Sequence, residues 1–187
     1  MFNAVKYNRI DYLHDGNADQ QEVYHLLKRQ CIMEKLAAYH PLLVGTVPLV
    51  INISGSDLDI ICDFERKEEF KADVLRCFST YDNFELAETV VNGEPTIIAS
   101  MVIDGWPVEL FGQYVSVKQQ AAYRHMLVGD FLLRQHGDAF KKQVISLKQQ
   151  GVKTEPAFAY LLNLEGNAYE LLLHIYDSNI NEPDKRY

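Results

Sequence analysis

Apolar positions along the chain change period several times, and each change predicts an element. In "NADQQEVYHLLKRQCIMEKLAAYH", Val23, Leu26, Leu27 and Cys31 follow the helical period. Asp19 and Glu22 have capping-box spacing, and Pro41 sets the latest end of that helix. "PLLVGT" reads as a short strand closing on a Gly turn. "VPLVINI" and "DLDIICDF" read as strands rich in β-branched residues, joined at Ser54-Gly55-Ser56. Residues 66–80 predict a helix whose inner face carries Phe70, Val74 and Phe78. "FELAETVV", "PTIIASMVI" and "PVELFG" then predict an antiparallel run, turned at Asn92-Gly93 and Asp104-Gly105.

From about residue 117 the period becomes helical. "VKQQAAYRHMLVGDFLLRQ" predicts one helix. "DAFKKQVISLKQQ" predicts another, with Phe140, Val144 and Leu147 on one face and Gly151 as its stop. Thr154 is the expected cap of "EPAFAYLLNL", with Pro156 tolerated in the first turn. Asn167 and Glu170 have capping-box spacing before "LLLHIY", and the tail "DSNINEPDKRY" is expected to fray. There is no internal repeat.

The chain has 187 residues, enough for one domain with a full core. Its 48% apolar and 11% aromatic content describes a folded globule. A net charge of −8 with no basic block argues against duplex nucleic acid or an anionic membrane as main partner. The N-terminal "MFNAVKYNRIDYLHDGN" lacks a signal-peptide core, and no apolar run reaches transmembrane length. Cys31, Cys62 and Cys77 show no C-x-x-C spacing and sit in apolar stretches. They are expected to be buried thiols of a cytoplasmic protein.

One stretch breaks the hydrophobic pattern. In "SGSDLDI", residues 54–60, two carboxylates sit inside an apolar run. On a strand, i and i+2 share a face, so Asp57 and Asp59 project together while Leu58 and Ile60 project oppositely. Carboxylates so close repel, and one would take up a proton at neutral pH. A divalent cation removes the conflict; magnesium favours one or two carboxylates plus phosphate oxygens, and manganese serves equally here. Glu109, between Val108 and Leu110, is a third acid in a strand. Paired beside Asp57 and Asp59, it would bring three acids to one or two metals. That arrangement suits in-line phosphoryl or nucleotidyl transfer.

The same residues resemble the signature of the nucleotidyltransferase superfamily, whose fold is shared with DNA polymerase beta and the aminoglycoside nucleotidyltransferases. Val44-Gly45-Thr46 matches its apolar-Gly-small turn, residues 47–56 its spacer, Asp57-Leu58-Asp59-Ile60 its acidic pair and Val108-Glu109-Leu110 its third acid. The superfamily motif covers about residues 42–111. The strings "GSDLDIIC", "VELFGQ" and "KTEPAFA" are similar to a bacterial branch of it over most of the chain. The resemblance implies an α+β fold: a mixed-sheet core with flanking helices over residues 1–115, and a helical segment, 116–187, packed over the cleft. It implies Asp57, Asp59 and Glu109 as catalytic and metal-holding acids. The implied partners are a nucleoside triphosphate and an acceptor whose identity the sequence does not reveal, any more than it reveals the oligomeric state.

Two departures stand out. Thr46 occupies a position that is Ser in many relatives, keeping the hydroxyl. The spacer "VPLVINISGS" lacks the Arg or Lys that many relatives carry there. A grip on phosphate must then come from elsewhere. Candidates are Arg124, on a helix with Gln120 and His125, and Lys148 and Lys153, which flank Gly151 before the Thr154 helix. Gln113 and the Gly45-Thr46 turn are further candidate substrate contacts. Ser56 is carried with them, although Ser54 and Ser56 chiefly shape their turn. The six histidines show no metal-ligand spacing, and Trp106 reads as a core plug. The expected function is magnesium-dependent transfer of a nucleotidyl, most simply adenylyl, group to a small-molecule or protein hydroxyl. The alternatives are a non-catalytic nucleotide-binding or regulatory module, or a metal-dependent phosphohydrolase.

Overall fold

A computed structural model of the chain describes residues 2–181. Its centre is a five-stranded mixed sheet in the order β1-β2-β5-β4-β3, made of β1 (Leu42–Val44), β2 (Leu58–Asp63), β3 (Asp82–Val91), β4 (Glu94–Ile103) and β5 (Trp106–Gln113). β2 and β5 run parallel; the other neighbours are antiparallel. The hairpins turn where Asn-Gly and Asp-Gly predict. Asn92 and Gly93 have φ of 53° and 83°, Asp104 and Gly105 of 50° and 85°. Two successive positive φ values are what a two-residue turn needs to match strand twist.

The alternation in the central strands sorts side chains into two cores. Leu58, Ile60, Cys62, Val108 and Leu110 face α1 (Ala18–Arg29) and α3 (Lys67–Phe78). Val44 and Ile61 face the other way, with Phe111 packed beside them, towards α4 (Ala121–Gln149), α5 (Thr154–Leu161) and α6 (Ala168–Asn181). The inner face of α3 is Phe70, Val74 and Phe78, as its period predicts. Phe70 lies so close to β5 that a Cβ on Gly112 would sit 2.3 Å from its ring. Gly112→Ala is therefore expected to cost about 1–3 kcal/mol of stability, read by urea denaturation.

The N-terminal turn packs on the helical side. The Tyr7 hydroxyl donates to Asp130 Oδ1 at 2.8 Å, and the Phe2 ring stacks on Tyr176 at 5.1 Å. Among the described residues no helix is long and apolar enough to cross a membrane.

Several sequence expectations are corrected. The first helix does not run towards Pro41. It ends at Arg29, the chain turns through Cys31 at φ 51°, and α2 (Ile32–Lys35) and a 3-10 turn at Ala37–Tyr39 follow. Its capping box is Asn17 with Gln20, not Asp19 with Glu22. Asp19 instead accepts from Asn52 Nδ2 at 2.6 Å, while buried Gln20 donates to the Val47 carbonyl at 2.9 Å. Both residues thus tie α1 to the spacer.

That spacer is not a strand. The Leu49 and Ile51 amides donate back to the Thr46 carbonyl, and Val50 takes φ 57°, which is costly for a β-branched residue. Its apolar residues are a plug: Leu49 and Ile51 are buried in the helical core. A short apolar run does not by itself distinguish a plug from a ladder.

Residues 117–120 precede α4 instead of opening it, and α4 bends at Gly137, where the two expected helices meet. Lys153, not Thr154, is the N-cap of α5. Cys31 is exposed and Cys77 only half-buried, leaving Cys62 as the fully buried thiol. Trp106 packs at the edge of the core, its Nε1 donating to Glu22 at 3.1 Å. α6 is helical through Asn181, and the rest of the tail expected to fray, residues 182–187, lies outside the described residues.

Candidate active site

β1 delivers the chain into Gly45, whose φ is 78°. The Gly45 backbone lies against the neighbouring strand so closely that a Cβ there would fall 2.0 Å from Asp59 Oδ2. Glycine is needed twice here, for the left-handed turn and for the approach to the carboxylate. Gly45→Ala must displace either the turn or Asp59. It is expected to cost at least the ~1–2 kcal/mol of left-handed backbone, read by thermal denaturation.

Asp59 is the second residue of β2, and its partner across the parallel pair is Glu109 of β5. Adjacent parallel strands lie ~4.8 Å apart, so the two carboxyls stand side by side on one face. Asp57 immediately precedes β2 and is exposed at its mouth. The turn before it is held by Ile53 and Ser56. The Ile53 amide donates to Ser56 Oγ and the Ser56 amide to the Ile53 carbonyl, both at 2.9 Å. Burial, then the charges of Asp57, Glu109 and Glu155, push the Asp59 carboxyl up to about 7. Burial and Asp57 raise Glu109 as well. The three acids thus form one electrostatic unit.

They line a cleft of about 1180 Å³ between the sheet and the helical layer. Its opposite wall is built from the first turns of α4, α5 and α6. Every candidate from the sequence lines this cleft: Gly45, Thr46, Ser56, Asp57, Asp59, Glu109, Gln113, Arg124, Lys148 and Lys153. They are not equally available to a ligand. Gln113 is buried, and its amide donates to Thr96 Oγ1 at 2.8 Å and the Val91 carbonyl at 3.2 Å, tying strands together. Arg124 is paired with Asp177 and lies 4.8 Å over the Tyr176 ring, fastening α6 to α4. Lys153 is exposed at the start of α5.

Lys148 differs from these. It is buried, and its Nζ donates to the Ile51 carbonyl in the spacer at 2.8 Å. Burial lowers its ammonium to about 8 against the opposing pull of Glu155, Asp57 and Asp59. Desolvation wins, yet the carboxylates are near enough to be felt. The cation missing from the spacer sequence is thus placed against the spacer by α4. Lys148→Met keeps the apolar stem and leaves the Ile51 carbonyl without its donor. It is expected to cost about 1–3 kcal/mol, checked by denaturation.

Residues 25–175 match the family described as Domain of unknown function (DUF4269). The chain belongs to that family. No curated protein is significantly similar to it in sequence. Solved structures that share the fold of this DUF4269 chain include nucleotidyltransferases. Cid1, which has RNA terminal uridylyl transferase activity, superposes with a TM-score of 0.54 at 13% identity, over 82% of this chain and 52% of its own. The Cid1 poly(U) polymerase with bound MgGTP gives 0.52 at 14%, over 85% and 51%. A chain of the GLD-2/RNP-8 complex gives 0.51 at 14%, over 92% and 61%. The DUF4269 chain therefore spans only about half to three fifths of the length of these neighbours. At such identity the likeness concerns the fold: a mixed sheet with flanking helices of nucleotidyltransferase type.

Among the described residues no group of three or more His, Cys, Asp and Glu side chains is arranged to hold a metal ion by itself. Magnesium does not require such a cage, because it takes one or two carboxylates together with phosphate oxygens and water. Asp57 and Asp59 fit that demand. Burial and then its neighbours' charge push the Asp59 carboxyl up to about 7, and a cation would relieve the repulsion between the charges.

The DUF4269 cleft also contains a carboxylate that the sequence does not single out. Glu155, in the first turn of α5, is felt by both Asp59 and Lys148 and sits 3.6 Å from His125 Nδ1. Its position reads locally as an acid complementing a helix N-terminus. Only the packing of α5 over the sheet turns it towards the other acids.

Proposed function

We propose that the chain transfers a nucleotidyl group, most simply adenylyl, from a magnesium- or manganese-bound nucleoside triphosphate to a hydroxyl. The observation that carries this is the in-register pair Asp59 and Glu109, with Asp57 at the strand mouth and the Gly45 turn against Asp59. Asp57 and Asp59 would hold the metal, whose chemistry is to neutralise charge developing on the phosphates. The Gly45-Thr46 turn offers backbone N–H groups to phosphate. Lys148 and Lys153 bring positive charge from the helical side in place of a spacer cation. Glu109 accepts the proton of the acceptor hydroxyl as its oxygen bonds to the α-phosphorus. The bond to pyrophosphate breaks, and pyrophosphate leaves.

A nucleotide-binding module that does no chemistry is the second reading. It is favoured by the uncharged spacer and by the engagement of Arg124 with Asp177. A nucleotide panel with magnesium or manganese, followed by calorimetry and mass spectrometry, separates these readings. Transfer yields a nucleotidylated acceptor and pyrophosphate, hydrolysis yields a nucleotide product without an adduct, and a binding module yields heat of binding alone.

A further inference from the structure

One helix meets the spacer between the Gly45-Thr46 turn and Asp57 at two places. Leu49 packs on Gly129 of α4, so closely that a Cβ on that glycine would fall 2.8 Å from Leu49 Cδ1 and 3.5 Å from the Phe158 ring. Lys148, near the far end of α4, donates to the Ile51 carbonyl at 2.8 Å. An unbroken helix would hold residues 129 and 148 about 28 Å apart. Leu49 and Ile51 lie within about 7 Å of each other along the chain. Both contacts form because α4 breaks at Gly137, where φ is 75° and ψ is −168°, a conformation open almost only to glycine. The two arms of α4, on either side of that break, meet on the spacer.

Gly129 is not at the break. Its backbone is helical, and in a helix interior glycine is a poorer choice than alanine. What its missing side chain provides is a seat for Leu49, which is buried and also lines the cleft. A methyl group at that seat must move Leu49, and it is squeezed by Phe158 as well.

The effect of such a move runs along the spacer to the acids. The Leu49 and Ile51 amides both donate to the Thr46 carbonyl at 3.2 Å, and Gly45, the preceding residue, lies against Asp59. On the side of α1, Gln20 donates to the Val47 and Pro48 carbonyls at 2.9 and 3.3 Å, and Asp19 accepts from Asn52 at 2.6 Å. α1 thus ties the spacer to one layer while α4 sets it from the other. Val50, between the two residues that α4 holds, sits at φ 57°. A β-branched residue keeps such a conformation only where its surroundings impose it.

Resting on nucleotidyl transfer as the reaction, we propose that α4 is a clasp on the spacer and that Gly129 is a positioning residue, which through Leu49 sets the Gly45-Thr46 turn against Asp59 for the phosphates of the nucleotide. A contact that only packed would lower stability when disturbed and leave nucleotide affinity where it was. A positioning contact moves affinity as well, because binding groups displaced by as little as ~1 Å lose much of their effect.

The full chain is titrated calorimetrically with ATP and magnesium as wild type, Gly129→Ala, Leu49→Val and the pair together, with melting temperatures recorded for each. Gly129→Ala is expected to weaken ATP by ~10-fold or more. Leu49→Val shortens the side chain that the new methyl strikes, so the pair is expected to return to within ~3-fold of wild type. Leu49→Val alone loosens the seat and is expected to weaken ATP severalfold, which keeps a readout if Gly129→Ala does not fold. Gly112→Ala overpacks the opposite face of the sheet, against Phe70. It should melt earlier and bind ATP as the wild type does. Amide hydrogen exchange at Leu49 and Ile51, read by NMR without nucleotide, follows the turn directly. Gly129→Ala should speed it by ~10-fold, and the pair should restore it. The proposal is overturned if Gly129→Ala and Leu49→Val bind ATP like the wild type, if Gly112→Ala weakens ATP equally, or if the pair shows no rescue. Failure of the wild type to bind ATP overturns nucleotidyl transfer instead. Exchange then decides the clasp alone, and a rate unchanged by Gly129→Ala removes it.

Discussion

Glu109→Gln is expected to lower turnover by ~10²–10⁴-fold while leaving the nucleotide dissociation constant nearly unchanged. Glu109 sits beside Asp59 in register and is half-buried on the cleft face, where its carboxyl is held above its ordinary range by burial and by Asp57. A carboxylate with raised proton affinity is a better proton acceptor, which suits removal of a hydroxyl proton during attack. Gln keeps the size and removes the basicity. Asp57→Asn should behave differently. Asp57 is exposed at the mouth of β2, where a metal with its phosphates would approach, so its loss weakens metal-dependent nucleotide binding together with turnover. Single-turnover kinetics and calorimetry on both variants distinguish the roles. If both variants alter affinity alone, and no acceptor is ever nucleotidylated by the native chain, the cleft is a nucleotide clamp.

Asp59 and Glu109, the in-register pair of the cleft, were legible for the same reason. Asp59 announced itself because a charge inside "DLDIICDF" contradicts the apolar pattern around it. Glu109 did so within "PVELFG", and the parallel pairing of β2 with β5 makes the two contradictions one site. The hairpin turns were equally plain, since Asn-Gly and Asp-Gly supply positive φ locally. What stayed hidden depends on distant contacts. The spacer "VPLVINI" has strand-like composition, and only the helical core that swallows Leu49 and Ile51 makes it a plug. The break in the first helix falls in a periodic stretch, where the chain turns through Cys31 at positive φ with no Gly or Pro to announce it. Glu155 reads locally as a helix-start acid, and Lys148, a candidate for the grip on phosphate, shows no local sign of its burial against the spacer. Their nearness to Asp59 follows from how α4 and α5 fold back over the sheet, which no local pattern encodes.

Asp59→Asn is expected to stabilise the metal-free protein at neutral and alkaline pH. Burial and the charges of Asp57, Glu109 and Glu155 push the Asp59 carboxyl up to about 7, whereas an unfolded aspartate titrates at ~3.9. Below about pH 4 both states hold the proton, and the residue contributes no penalty. Between about pH 4 and pH 7 the unfolded state releases its proton while the folded state retains it, so stability falls as pH rises. Above about pH 7 the full penalty is present, on the order of 2–4 kcal/mol after allowance for solvent screening. Asn has the same shape without the charge. Its melting temperature should therefore match the wild type near pH 4 and exceed it by ~4–12 °C near pH 8. Magnesium should act unequally on the two proteins. It binds the folded wild type and raises its stability, by about 2.7 kcal/mol at a hundredfold excess over its dissociation constant, and it should do little for Asp59→Asn. Thermal scans at the two pH values, with and without magnesium, provide the check. A wild type indifferent to magnesium, with Asp59→Asn destabilised at pH 8, would mean that the Asp59 carboxylate serves the fold through hydrogen bonds, and metal-dependent transfer would lose its foundation.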